Sequence, residues 1–271
     1  MNKTDVRPRL HHALKELCLP TMRECVDAAC EQAGREGLPY DAFLLDLLER
    51  EVERRSQQRL ERLLQESRLP LQKSFSTFDM VRLPTRLLQQ IATLREGSFL
   101  DRRENVLAFG NPGSGKTHLL CALCQDLVRQ GRRVLYTTCS LLVQELLIAK
   151  RDLTLSRLLK RLSRYDALLI DDLGYVQQSR EEMEVLFTLL AERYERGSVL
   201  ITSNLAFSQW EAIFKDPMTT AAAIDRLVHH SVILELNLTS YRREYAASAQ
   251  SLKVTQQTDT AGEENASQTS L

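Results

Sequence analysis

The run Gly110-Asn111-Pro112-Gly113-Ser114-Gly115-Lys116-Thr117 constrains this chain more than any other feature. It fits G-x-x-x-x-G-K-[ST], follows the apolar segment Asn105 to Phe109, and opens a helical pattern at Lys116. Glycines let the backbone wrap around phosphate oxygens with its N–H groups turned inward, and the helix N-terminus adds positive potential. The pattern therefore predicts an ATP site formed by Gly110 to Thr117 with His118 beside it. Lys116 would reach the β- and γ-phosphates and Thr117 would place its hydroxyl on Mg²⁺. A glycine-rich turn without a ligand is disfavoured, because strand, loop and helix occur together.

Short apolar runs alternate with helical patterns after Pro70, as in a parallel sheet with crossover helices. Expected strands are Asn105 to Phe109, Arg133 to Thr138, Ala167 to Asp171, Val199 to Ser203 and Ser231 to Leu236. Expected helices are Lys116 to Gln130, Ser140 to Lys150, Leu153 to Arg164, Arg180 to Arg196, Ser208 to Phe214 and Thr219 to His230. His11 to Arg68 reads as about three helices broken at Gly34, Gly37, Pro39 and Pro70. Its charged stretch, Asp41 to Arg68, fits a solvated helix laced with ion pairs, or a partner or DNA surface. Past Ala247 the chain turns small and polar, the composition of a disordered tail.

Two carboxylates, Asp171 and Asp172, follow the apolar strand Ala167 to Ile170, at the strand edge where ligands of open α/β sheets bind. Asp171 is the expected Mg²⁺ partner, and Asp172 would orient or deprotonate an attacking water. The next strand ends in Asn204, whose amide could hold that water. A turn asparagine is the plain alternative.

The order of these pieces, together with Asp172-Leu173-Gly174-Tyr175 and Arg193-Tyr194-Glu195-Arg196-Gly197-Ser198-Val199, resembles the IstB family. The resemblance runs from about Phe78 to Arg242, more weakly through the N-terminal helices. It implies an α/β P-loop NTPase of AAA+ type, a five-stranded parallel sheet flanked by helices, lacking a full lid domain, with a small N-terminal all-α domain. Residues 1–70 would be the helical domain for DNA or partner contacts, 71–245 the ATPase domain and 246–271 the tail. By the same resemblance Asn204 is the sensor-1 residue, Arg226 an arginine finger serving a neighbouring subunit, and Arg242 a sensor-2 arginine acting in cis. The implied activity is ATP hydrolysis controlling assembly on DNA, in aid of a cognate transposase. A DnaC-like helicase loader shares the same ATPase residues and stays open as the alternative. A metabolite kinase would leave Asn204 and Arg226 without a role, and Asp-Asp in place of Asp-Glu keeps a slowly hydrolysing scaffold open.

With 36 basic and 36 acidic residues, attraction to nucleic acid has to be local. Lys150, Arg151, Arg157, Lys160, Arg161 and Arg164 stand against one nearby acid, Asp152, and Leu155, Leu158, Leu159 and Leu162 repeat the same helical spacing on another face. This basic face is the expected contact with the backbone of double-stranded DNA, without sequence preference because no aromatic lies on it. A solvated face or a subunit contact is the alternative. The site is expected to be shared in a homo-oligomer. No signal-peptide run or 18-residue apolar stretch occurs, which predicts a cytoplasmic protein with no membrane contact. The six cysteines lack the paired spacing of a metal site and read as reduced, structural thiols. His229 and His230 show no third ligand nearby in the sequence and read as structural, like Trp210.

Overall fold

A computed structural model describes residues 3–174, 179–206, 209–210 and 217–238, grouped in two compact units, Met1–Leu63 and Leu64–Leu271. The first unit holds α1 (Lys3–Glu16), α2 (Pro20–Glu36) and most of α3 (Tyr40–Ser67). Leu14, Met22, Val26, Ala29 and Leu47 form its small core. Pro20 opens α2, and the preceding Leu19 offers no capping side chain. The Met22 N–H is instead taken by Glu51 Oε2 of α3 at 3.0 Å, while Glu51 Oε1 accepts Arg55 Nε at 2.8 Å. Burial raises the Glu51 pKa, but these donors outweigh it and hold it below the ordinary carboxylate value. Its stabilising effect is thus present above the unfolded pKa and lost as pH falls through the folded one. Glu51→Ala leaves that N–H unpaired and is expected to destabilise this unit by about 1–3 kcal/mol. The variant should also lose part of the acid-side decline in stability, measured by chemical denaturation at pH 7 and pH 4.

The second unit is built on a five-stranded sheet in the order β2-β3-β4-β1-β5. These strands are β1 (Asn105–Phe109), β2 (Val134–Thr138), β3 (Ala167–Leu173), β4 (Ser198–Ser203) and β5 (Ser231–Glu235), and every pairing is parallel. β1 and β4 are almost wholly buried, because crossover helices cover both faces of the sheet. The helices are α4 (Thr85–Arg95), α5 (Ser98–Asp101), α6 (Lys116–Arg129), α7 (Cys139–Arg151), α8 (Leu155–Leu162), α9 (Arg180–Arg193) and α10 (Pro217–Val228). The five expected strands are all present, and the expected five-stranded parallel sheet is found. The expected helix Leu153 to Arg164 is shorter, because Leu153 takes the left-handed conformation (φ 55°) at the turn between α7 and α8. The expected Ser208 to Phe214 helix falls largely outside the described residues, as do Arg242 and the tail.

Cys121, Cys124 and Cys139 are buried, and burial pushes the Cys121 thiol up to about 12. Cys25 is half-buried and Cys18 and Cys30 are exposed, so burial supports the structural reading only for Cys121, Cys124 and Cys139. Cys18 lies in the turn between α1 and α2 and Cys30 on α2, both in the small first unit, whose core covers only one face of its helices. No described helix is long and apolar enough to cross a membrane.

Candidate nucleotide site

The first turn of α6 begins at the loop that leaves β1. Gly110 (φ 148°) passes so close to the chain beyond β5 that a Cβ there would lie 2.3 Å from the Leu236 carbonyl oxygen. Gly115 (φ 94°) precedes Lys116 in a left-handed conformation that favours glycine, and a Cβ there would press on the Phe78 ring at 3.0 Å. Within this loop Lys116 Nζ donates to the carbonyls of Gly110 (2.7 Å) and Asn111 (2.9 Å). The ammonium is thereby kept at the loop, over the space where a phosphate would lie. The Ser114 hydroxyl is buried without a hydrogen-bond partner among the described residues.

Asp171, at 3 % exposure, is the hub of the site. Its Oδ1 accepts from Thr117 Oγ1 (2.7 Å) and Thr202 Oγ1 (2.5 Å), and its Oδ2 accepts from Tyr136 OH (3.0 Å). Four elements therefore converge on one carboxylate: α6, β4, β2 and β3 itself. Burial and the Asp171 charge push the Tyr136 pKa upward, so the phenol stays protonated and donates at neutral pH.

Successive side chains of a regular strand point to opposite faces, which would send Asp171 and Asp172 apart. The register between β3 and β4 shifts between Ile170 and Leu173, where two residues of β3 face one of β4. Asp172 takes the bulge in a left-handed conformation (φ 60°), with its N–H held by Thr202 Oγ1 at 2.9 Å. Both carboxylates consequently line one cleft of about 610 Å³ with Lys116, Thr117, Tyr136 and Asn204. Asparagine and aspartate tolerate this backbone better than other side chains, which suits an aspartate to the position.

The cleft holds Pro112, Gly113, Gly115, Lys116, Thr117, His118, Asp171, Asp172 and Asn204 of the residues expected from sequence. His118 faces the segment before α4, with Nε2 2.9 Å from the Ser74 carbonyl oxygen and its ring edge-on to Phe78 at 5.2 Å. Lys73, Thr77, Phe78 and Asp79 complete that wall. Sequence reading missed Tyr136, Thr202 and this wall. Thr202 did leave a trace, as a hydroxyl inside a strand that is buried at every position.

Arg226 is not in the cleft. It lies in the last turn of α10, and Leu227 O accepts Asn105 Nδ2 at 3.1 Å, which ties this helix end to the start of β1. The phosphate loop leaves the other end of β1, roughly 16 Å away along five residues of strand.

The six basic residues of the DNA face divide in two. Arg161 pairs with Glu145, and Lys150 with Glu184 at 3.5 Å, acids contributed by α7 and α9. Arg151, Arg157, Lys160 and Arg164 are exposed and make no ion pair among the described residues. Leu158 and Leu162 are buried beneath them, with Leu155 and Leu159 packed on the same core.

A family model described as IstB-like ATP binding protein matches residues 12–249. The chain belongs to the IstB-like ATP-binding family. An insertion-sequence ATP-binding protein of Sinorhizobium fredii is 42% identical over 242 residues, covering 89% of this chain and 81% of the relative. The IS21 ATP-binding protein of Pseudomonas aeruginosa is 38% identical over 220 residues, covering 80% and 82%. Among solved structures, the DnaC helicase loader superposes with a TM-score of 0.53 at 17% identity, over 61% of this chain and 97% of that one. Domain III of a replication initiation protein DnaA gives 0.52 at 18% identity, over 69% and 76%. These likenesses are of fold: the second unit of this IstB-like chain shares the α/β architecture of the two solved structures.

Tyr136→Phe removes one donor to Asp171 and nothing else. If Asp171 holds Mg²⁺, as its place beside Thr117 suggests, a partner that orients it is worth about 10- to 100-fold in metal affinity. The Mg²⁺ concentration giving half-maximal ATP turnover is therefore expected to rise by roughly that factor, with little change in melting temperature.

Proposed function

We propose that this IstB-like protein binds and hydrolyses Mg²⁺-ATP, assembles on double-stranded DNA under the control of that nucleotide, and thereby assists the transposase of its insertion sequence. The observation that carries the nucleotide reading is the bond from Thr117 to Asp171, which joins phosphate loop and carboxylate strand in one cleft. Lys116 exchanges the loop carbonyls for the β- and γ-phosphate oxygens. Thr117 and Asp171, the latter directly or through water, would hold Mg²⁺, which when bound would neutralise phosphate charge. Asp172, brought into the cleft by the bulge, orients or deprotonates the attacking water, and Asn204 steadies it. Arg226 stands at the opposite edge of the sheet, which suits a finger acting on the nucleotide of a neighbouring copy. A shared site of that kind makes hydrolysis depend on assembly.

Support for the transposition role comes from the relatives, which are named as ATP-binding proteins of insertion sequences. A DnaA structure at 18% identity is described as bound to AMPPCP and single-stranded DNA. For this chain, the four unpaired cations Arg151, Arg157, Lys160 and Arg164 favour contact with a DNA backbone.

The test is ATP-dependent binding to duplex DNA across a salt series. Replacing Arg157, Lys160 and Arg164 with alanine is expected to flatten the plot of log affinity against log salt by roughly 0.9 per lost phosphate contact. Arg161→Ala, whose guanidinium is already paired, should flatten it less. Equal slopes in wild type and triple variant would refute the proposed DNA face, and binding indifferent to ATP would refute nucleotide control.

A further inference from the structure

At the edge of the sheet where the strands begin, away from the phosphate loop, a second cavity of about 240 Å³ opens beside Asn105 and Val199. Its walls carry Arg102, Arg103, Arg193, Arg226 and His230 against one carboxylate, Glu195. Arg102 is neutralised by Glu104, which takes its Nε at 2.8 Å and its Nη2 at 2.9 Å. Arg103 and Arg226 make no ion pair among the described residues.

Two guanidinium groups at this cavity carry buried N–H groups without an acceptor. Arg193 is 3 % exposed and gives Nη1 to Leu162 O and Nη2 to Tyr165 O, Asp166 O and Ser198 O, at 3.0–3.2 Å. Its Nε has no hydrogen-bond partner among the described residues. Gly197 leaves room for the group, since a Cβ there would lie 2.4 Å from Arg193 Nη2. Burial lowers the Arg193 pKa to about 10, and the positive charge of Arg103 pushes the same way against Asp166. Arg226 lies over the Phe187 ring at 4.5 Å, and its Nη1 is likewise buried without a partner among the described residues.

Unpaired buried donors and unbalanced positive charge both call for an anion with several acceptor oxygens. A metal ion is the rival occupant, because Glu195, His229 and His230 bring ligand atoms within 4.8 Å of one another. A divalent cation would, however, enter beside Arg103, Arg193 and Arg226 against like charge, whereas an oxyanion enters with it.

We propose that this cavity is an oxyanion site for a phosphate group, either free or carried by a nucleotide on a second copy of the chain. Arg226 and Arg103 supply the charge-assisted bonds, Arg193 the rigid floor, and His230 the rim. Only the second source rests on the shared-site reading above.

The experiment uses the full chain carrying Lys116→Ala, so that the phosphate loop does not compete. Its melting temperature is followed with inorganic phosphate against chloride at equal ionic strength. A phosphate concentration about ten times the Kd is expected to raise it by roughly 3–5 °C, and adding Arg103→Gln and Arg226→Ala is expected to abolish the rise. If that triple variant does not fold, the Lys116→Ala/Arg103→Gln chain serves, since Arg103 is exposed. A rise no larger than that in chloride, or one equal in the Arg103-substituted chain, overturns the site.

A second arm separates the sources. Phosphate that weakens ATP-driven association of wild-type copies assigns the cavity to a neighbour's nucleotide, and the phosphate-dependent rise without that effect assigns free phosphate. If copies do not assemble with ATP at all, the shared-site reading fails while the thermal shift still stands.

Discussion

Asp171→Ala is expected to reduce ATP turnover by on the order of 10³-fold, the equivalent of several kcal/mol of lost metal-centred charge stabilisation. The size of the effect follows from how many groups rely on this carboxylate. Thr117, Thr202 and Tyr136 all donate to it, so its removal unties the phosphate loop from the sheet and leaves three hydroxyls seeking partners. Thr202 is fully buried, and stranding its hydroxyl costs about 1–3 kcal/mol. Melting temperature should therefore fall together with activity. Asp171→Asn preserves volume but presents an amide N–H₂ to one or more donor hydroxyls, so it should recover part of the stability and little of the turnover. Steady-state hydrolysis and thermal unfolding of both variants check this. Turnover of Asp171→Ala within a few-fold of wild type would refute the hub role.

Much of that network could be read from the sequence, and the limits have physical causes. Gly110 to Thr117 announces itself because several backbone constraints, a glycine without space for a Cβ, a glycine in the left-handed region and a helix start, must coincide in a short segment. Asp171 and Asp172 were visible as charges at the end of an apolar strand. Their common orientation was not, because it depends on a bulge that forms only when β3 pairs with β4. Tyr136 lies on β2, 35 residues from Asp171, and an isolated tyrosine near the end of a strand carries no mark of its partner. The same holds for the basic helix. Its periodicity was legible, but the acids that neutralise Arg161 and Lys150 come from α7 and α9 and emerge only with tertiary packing. Arg193 shows the limit most plainly. It sits in a motif that suggested family membership, yet its chemistry is to clamp four backbone carbonyls from inside the core.

Arg226→Ala is the other substitution with a large expected effect, and its effect should depend on the neighbour rather than on the chain that carries it. The helix end bearing Arg226 is bonded to the start of β1, and Lys116 follows the loop at the far end of that strand, so the arginine cannot serve its own phosphates without dismantling the sheet. Nucleotide affinity of the isolated Arg226→Ala chain should stay near wild type. Turnover of the assembled protein should fall by about 10³-fold, the lower end of what such fingers contribute in other phosphate-transferring enzymes. Loss of the stacking on Phe187 would cost only about 0.5–1 kcal/mol of stability, too little to account for that drop. Mixing discriminates between catalysis in trans and a folding defect. Arg226→Ala retains an intact phosphate loop and Lys116→Ala an intact finger, so each alone is inactive while mixed assemblies contain some sites with both parts. Restored hydrolysis on mixing, peaking near equal proportions, is the expected result. Mixtures no more active than their components would show that Arg226 does not act on a neighbour's nucleotide.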